Sequence, residues 1–82
     1  MKFLKITVSP VTGYKDILFY NEVVKIDEVV KSIHFDNYSI DYQSYSNSFI
    51  IRIKNATIAD LTRILLCVSL PNCTIKGEEV IL

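Results

Sequence analysis

The sequence predicts an α+β domain: an antiparallel, meander-rich sheet of five to seven strands with one principal helix, at about residues 57–70, packed on one face. Three observations carry this expectation. Residues 32–54 alternate apolar and polar side chains on either side of two turn-forming clusters, the period of half-buried strands. Residues 57–70 repeat apolar positions at helical spacing, behind a capping motif and ahead of a proline. The 82 residues, half of them apolar and 22% charged, suffice for one core, so residues 1–82 read as a single globular domain.

Taken in order, Met1 to Ser9 alternates Leu4, Ile6 and Val8 against Lys5, Thr7 and Ser9, a half-buried strand that Pro10 to Gly13 ends. Residues 16–26 admit a hairpin, because a turn at Asn21-Glu22 sets Phe19 opposite Val24 and Ile17 opposite Ile26. The next stretch reads two ways. Ile26, Val29, Val30 and Ile33 fit helical spacing, with Asn21 or Asp27 as a cap. The same β-branched run leads straight into Asp36-Asn37, however, and strand from about Val29 is the favoured reading.

Asp36 and Asn37 tolerate the positive φ of a tight hairpin turn. Folding there pairs Phe35 with Tyr38 and Ile33 with Ile40 on one face, and sets His34 across from Ser39 and Ser32 across from Asp41 on the other. A second turn at Tyr45-Ser46-Asn47-Ser48 sets Ser44 opposite Phe49, Tyr42 opposite Ile51 and Ile40 opposite Ile53. Asp41 then faces Arg52, and Ser39 faces Lys54. Both turns agree on one apolar surface: Ile33, Phe35, Tyr38, Ile40, Tyr42, Phe49, Ile51 and Ile53.

Asn55 or Thr57 can cap the helix, Thr57 being followed three residues on by Asp60, and Pro71-Asn72 stops it. Ile58, Leu61, Ile64, Leu65 and Val68 form the arc that packs on the sheet. A polar stripe holds Thr57, Asp60 and Arg63. Ala59, Leu66 and Leu70 make a further apolar flank, separated from the arc by Thr62 and Ser69. Either another part of this chain, for example the terminal Glu78-to-Leu82 segment, covers this flank or a partner does. The end of the chain reads as a short hairpin or strand, with Lys76 to Glu79 turning so that Ile75 opposes Val80.

Charge and motifs narrow the function. Nine basic residues balance nine acidic ones, whereas phosphate neutralisation ordinarily gives a nucleic-acid binder a basic excess. RNA-binding domains that stack bases on sheet aromatics carry a glycine- and aromatic-rich signature; "SNSFIIRIK" has one aromatic and no glycine. Its neighbours Tyr38 and Tyr42 share the face the helix should cover. No phosphate-loop, dinucleotide, zinc-protease or EF-hand pattern occurs.

His34 is the only imidazole, and on the meander it joins Ser39 and Asp41 on an open face without a nucleophile elbow or oxyanion donors. The adjacent carboxylates Asp27-Glu28 and Glu78-Glu79 read as solvated turn residues. Cys67 and Cys73 lack a metal or redox spacing and read as reduced, packed thiols, with a disulfide as the alternative in an exported protein. The expectation is therefore no catalysis, no metal and no cofactor.

Lys2 and Lys5 interrupt the apolar N-terminus, no run approaches a membrane span, and the expected compartment is the cytoplasm of a bacterium or of a host cell. Abundant Ile, Lys, Asn, Tyr and Phe beside two alanines suggest an AT-rich bacterial or phage gene. The chain thus reads as a small protein-binding module, an accessory protein or a phage- or mobile-element-encoded inhibitor that occupies a surface of a larger protein. Its partner would be another protein, or a second copy in a homodimer. Candidate contacts are Ala59, Leu66 and Leu70, or the strand-face residues His34, Asp41, Arg52 and Lys54. The alternative is a nucleic-acid-associated domain using Arg52 and Lys54.

Overall fold

A computed structural model describes residues 1–11, 17–34 and 37–82. The chain runs β1 (Lys2–Pro10), α1 (Ile17–His34), β2 (Tyr38–Gln43), β3 (Ser48–Lys54), α2 (Ile58–Leu66) and β4 (Cys73–Ile81). The strands form one antiparallel sheet in the order β2-β3-β1-β4. This succession and strand order are those of the split βαβ, or ferredoxin-like, topology. The class is α+β as expected, and among the described residues there are four strands in place of five to seven and two helices in place of one.

The expected strand β1 is present, and its Leu4, Ile6 and Val8 are fully buried. Register carries their face across the sheet: Leu4, Ile6 and Val8 oppose Ile53, Ile51 and Phe49, which in turn oppose Tyr38, Ile40 and Tyr42. Both helices close this face, α1 through Phe19, Val23, Ile26 and Val30 and α2 through Leu61 and Ile64, in a single buried cluster.

The largest correction is α1. Residues 17–34 form neither the hairpin at Asn21-Glu22 nor a strand from Val29, but one 18-residue helix. The cause is the spacing of Phe19, Val23, Ile26 and Val30, which gathers four apolar side chains on one helical stripe. Valine and isoleucine are indifferent helix formers, but burial at about 1.5–3 kcal/mol per large side chain outweighs a propensity deficit of a few tenths each. Ile33 is helical and so is not paired with Ile40. The rest of that turn, Phe35 and Asp36, lies outside the described residues, as do Gly13 and Asp16.

The β2–β3 hairpin keeps its four-residue loop but moves it one position back, to residues 44–47, because Asn47 takes the left-handed conformation (φ 53°). Pairing shifts by two, so Tyr42 opposes Phe49 and Ser39 opposes Arg52. A shift of two preserves each residue's face, and the apolar surface over residues 38–53 therefore stands.

In α2, Thr57 is the cap: its N–H donates to Asp60 Oδ2 (2.8 Å) and its hydroxyl to the same oxygen (3.2 Å). The helix ends at Leu66, four residues before the expected limit. Residues preceding a proline avoid helical ψ, so the chain leaves the helix ahead of Pro71 and Leu70 swings onto the core.

The terminal segment is one nine-residue strand along β1, from Lys2 opposite Ile81 to Pro10 opposite Cys73, with no turn at Lys76 to Glu79. Gly77 is there for clearance. It opposes Ile6 beneath α2, and a Cβ on it would lie 2.2 Å from Leu61 Cδ2. Gly77→Ala must displace a buried leucine, and the expected cost is about 1–3 kcal/mol in chemical denaturation. A variant as stable as wild type would show that α2 does not rest on β4 at this point.

Candidate functional site

The uncovered sheet face carries Phe3, Lys5 and Thr7 of β1, Ile50, Arg52 and Lys54 of β3, Ser39 and Asp41 of β2, and Lys76, Glu78 and Val80 of β4. Arg52 and Lys5 oppose each other at its centre. Each is drawn off by an outer carboxylate: Arg52 Nη1 lies 3.1 Å from Asp41 Oδ2 and Lys5 Nζ 3.8 Å from Glu78 Oε1. Against these two carboxylates the face sets four cations, Lys5, Arg52, Lys54 and Lys76, and so carries a modest positive excess. Both pairs are solvent-exposed and contribute no more than about 1 kcal/mol each.

Of the strand-face candidates, Asp41, Arg52 and Lys54 do share this surface. His34 does not belong to the sheet: it is the last residue of α1 and has no register with Ser39. A concavity of about 350 Å³ at one end of the face is lined by Met1, Phe3, Asn37, Tyr38, Ser39, Arg52 and Lys54.

A second surface lies beside β2, which is an edge of the sheet. Tyr42 packs on Phe49 (ring centroids 5.2 Å apart), and Tyr20 of α1 meets the same phenylalanine edge-on at 6.3 Å. Phe19 backs this group from the core at 5.9 Å from Phe49. Tyr20 and Tyr42 keep two-fifths of their surface in solvent, Val24 is half exposed, and Tyr45 in the hairpin loop is 88% exposed. Ile17, Tyr20 and Val24, at i, i+3 and i+7, form one apolar flank of α1 on the Tyr42 side. Tyr38 ties the helix to this edge, its hydroxyl donating to Asp27 Oδ1 at 2.9 Å. Desolvation first, then the Asp27 carboxylate, raises that phenol above its ordinary pKa.

The third candidate group divides. Leu66 is 81% exposed and Ala59 is exposed on α2, while Leu70 is half-buried against the core beyond the helix. The segment Glu78 to Leu82, a candidate cover for this flank, is occupied in β4. Ile58, expected on the packed arc, is 42% exposed, and Leu65 is exposed as well.

Sequence reasoning missed one buried polar cluster. Glu22, on the core side of α1, is 3% exposed. Its carboxylate accepts the backbone N–H of Asn72 (3.0 Å to Oε1) and the Asn72 side-chain amide, joining α1 to the start of β4. Partial burial, then the hydrogen bond to Glu22 and its charge, push the neighbouring Cys73 thiol up to about 12. Cys67 and Cys73 are both free, and Cys67 is exposed, which corrects the expectation of two packed thiols. At pH 8 iodoacetamide should therefore modify Cys67 and spare Cys73, since thiolate is the nucleophile. Mass spectrometry should show one adduct on the wild type and almost none on Cys67→Ser; equal modification of both thiols would contradict the Glu22–Cys73 contact.

Among the described residues no three His, Cys, Asp or Glu side chains converge to hold a metal ion, and no helix is long and apolar enough to cross a membrane. The chain matches no protein-family model, no curated protein and no solved structure.

Proposed function

We propose that the protein is a non-catalytic binding module that occupies a surface of a larger protein, as an accessory subunit or an inhibitor does, and that it does so through the β2 edge. The observation that carries this reading is the apolar group of Tyr20, Val24, Tyr42 and Tyr45 standing in solvent beside an edge strand. Tyrosines supply large contact area with few rotatable bonds and are enriched at interface centres. An edge strand offers unpaired N–H and C=O groups to an extended partner segment, with the aromatic side chains as anchors. Affinity capture from the native host tests it. A protein retained by wild type should be lost with Tyr45→Ser combined with Val24→Asp, while circular dichroism stays unchanged; retention at wild-type levels would retire the β2 edge.

A second reading rests on the concavity between Phe3, Arg52 and Lys54, which combines an aromatic ring with two cations and fits a segment of single-stranded nucleic acid. A mobility shift at low salt that Lys54→Glu removes would favour it; no shift at micromolar protein would discard it.

A further inference from the structure

We propose that β4 pairs with β4 of a second copy across a two-fold axis through Gly77, joining two four-stranded sheets into one of eight. This goes beyond the β2-edge reading and does not depend on it. Three independent features meet at β4: an open edge, a self-complementary charge order, and an uncovered apolar helix flank directly above.

β4 is the sheet edge opposite β2, and its nine residues, Cys73 to Ile81, have Gly77 at their midpoint. Antiparallel self-pairing on that midpoint uses the whole strand, with Cys73 facing Ile81, Thr74 facing Val80, Ile75 facing Glu79 and Lys76 facing Glu78 of the other copy. The charge order selects this register. If the helices of both copies are to lie on one side of the joined sheet, facing residues must share a face, so the axis must pass through a residue. Centring on Lys76 sets lysine against lysine, and centring on Glu78 sets glutamate against glutamate. Centring on Gly77 sets Lys76 against Glu78 twice, once on each side of the axis. An edge lysine ordinarily blunts association; here its complement stands at the matching position.

The same arrangement finds a use for α2. A Cβ on Gly77 would lie 3.7 Å from Ile58 Cδ1, so the Ile58 side of the helix overhangs β4. Leu65 continues that flank two turns on, and Ile58 and Leu65 are both exposed in the single chain. The two-fold axis brings α2 of the second copy antiparallel to the first above the joined strands. These side chains are then covered by their own counterparts. Ile81, also exposed, gains Cys73 of the other copy as its cross-strand neighbour.

Light scattering coupled to size exclusion at about 100 μM, where an interface of ordinary affinity is filled, should give twice the 9.4 kDa chain mass. Lys76→Glu alone makes both cross-axis contacts carboxylate–carboxylate, and Glu78→Lys alone makes both ammonium–ammonium, so each variant should run as a folded monomer. Mixing the two variants restores both attractions, and the mixture should recover the doubled mass. Leu65→Asp, at a position 37% exposed, should give a monomer with an unchanged circular dichroism spectrum. A monomeric wild type, a dimer that survives both charge reversals, or a mixture that stays monomeric would each overturn the proposal.

Discussion

Phe19→Ala should lower the stability of the domain by about 3–5 kcal/mol in urea denaturation. Phe19 is 1% exposed, packs on Phe49 at 5.9 Å, and heads the stripe by which α1 closes the sheet. Its truncation removes the transfer free energy of a large ring and leaves a cavity among rigid strands, which collapse poorly around it. A chain of this length holds about 4–12 kcal/mol in total, so the variant should lose between about a quarter of its stability and all of it. The adjacent pair Val23 and Val24 sharpens the test. Val23 is 5% exposed and Val24 53%, although they are neighbours in sequence. Val23→Ala should cost about 1–3 kcal/mol, and Val24→Ala less than about 0.5. Equal costs at both positions, or a small cost for Phe19→Ala, would mean that residues 17–34 do not dock as the amphipathic helix described.

Glu22→Ala should cost about 2–3 kcal/mol. The loss comes from orphaned donors more than from the missing carboxylate. The Asn72 backbone N–H and side-chain amide are part-buried, and each loses a charge-assisted acceptor. Asn72→Ala removes the amide and leaves the backbone N–H bonded, so its cost should be smaller, at about 1 kcal/mol. The two effects share one carboxylate and should fail to add by at least about 0.5 kcal/mol in a double-mutant cycle. Additive effects, or a Glu22→Ala variant as stable as wild type, would show that the α1–β4 junction is hydrated and not locked.

How much of this was legible follows from the range over which each signal acts. β1 was readable because Leu4, Ile6 and Val8 alternate without interruption. The face of β2 and β3 was readable because parity survives the two-residue slip that Asn47 imposes on the loop. Asn47 and Ser48 both suit turns, and only the three-dimensional choice of which takes positive φ fixes the pairing. The capped start of α2 was readable because Thr57 and Asp60 are three apart.

α1 was half readable. Its period was noted at Ile26, Val29, Val30 and Ile33, but extending it back to Phe19 and Val23 would have shown a helix too long for the hairpin at Asn21-Glu22. Glu22 was hidden behind that error, since a carboxylate in a turn asks for no partner. Gly77 read as punctuation because nothing local reveals a leucine waiting above it. Of the candidate contacts, Leu66 and Ala59 are solvent-facing and Leu70 is not, a division made by Pro71 through where it halts the helix. The tyrosine surface escaped notice because Tyr20 and Tyr42 come together only once α1 lies along β2.

The position of β1 between β3 and β4 has a kinetic consequence. Lys2 pairs with Ile81 and Phe3 with Lys54, so β1 leaves the ribosome before both of its partners and can be flanked on neither side until much later chain arrives. Contacts between such distant parts of the chain make folding slower than that of helical bundles, whose contacts are local. During that delay an apolar nascent strand presents two raw margins to any neighbouring extended polypeptide. The hazard of misassembly is therefore concentrated in biosynthesis, and refolding yields should fall as protein concentration rises even where the finished domain is indifferent to it.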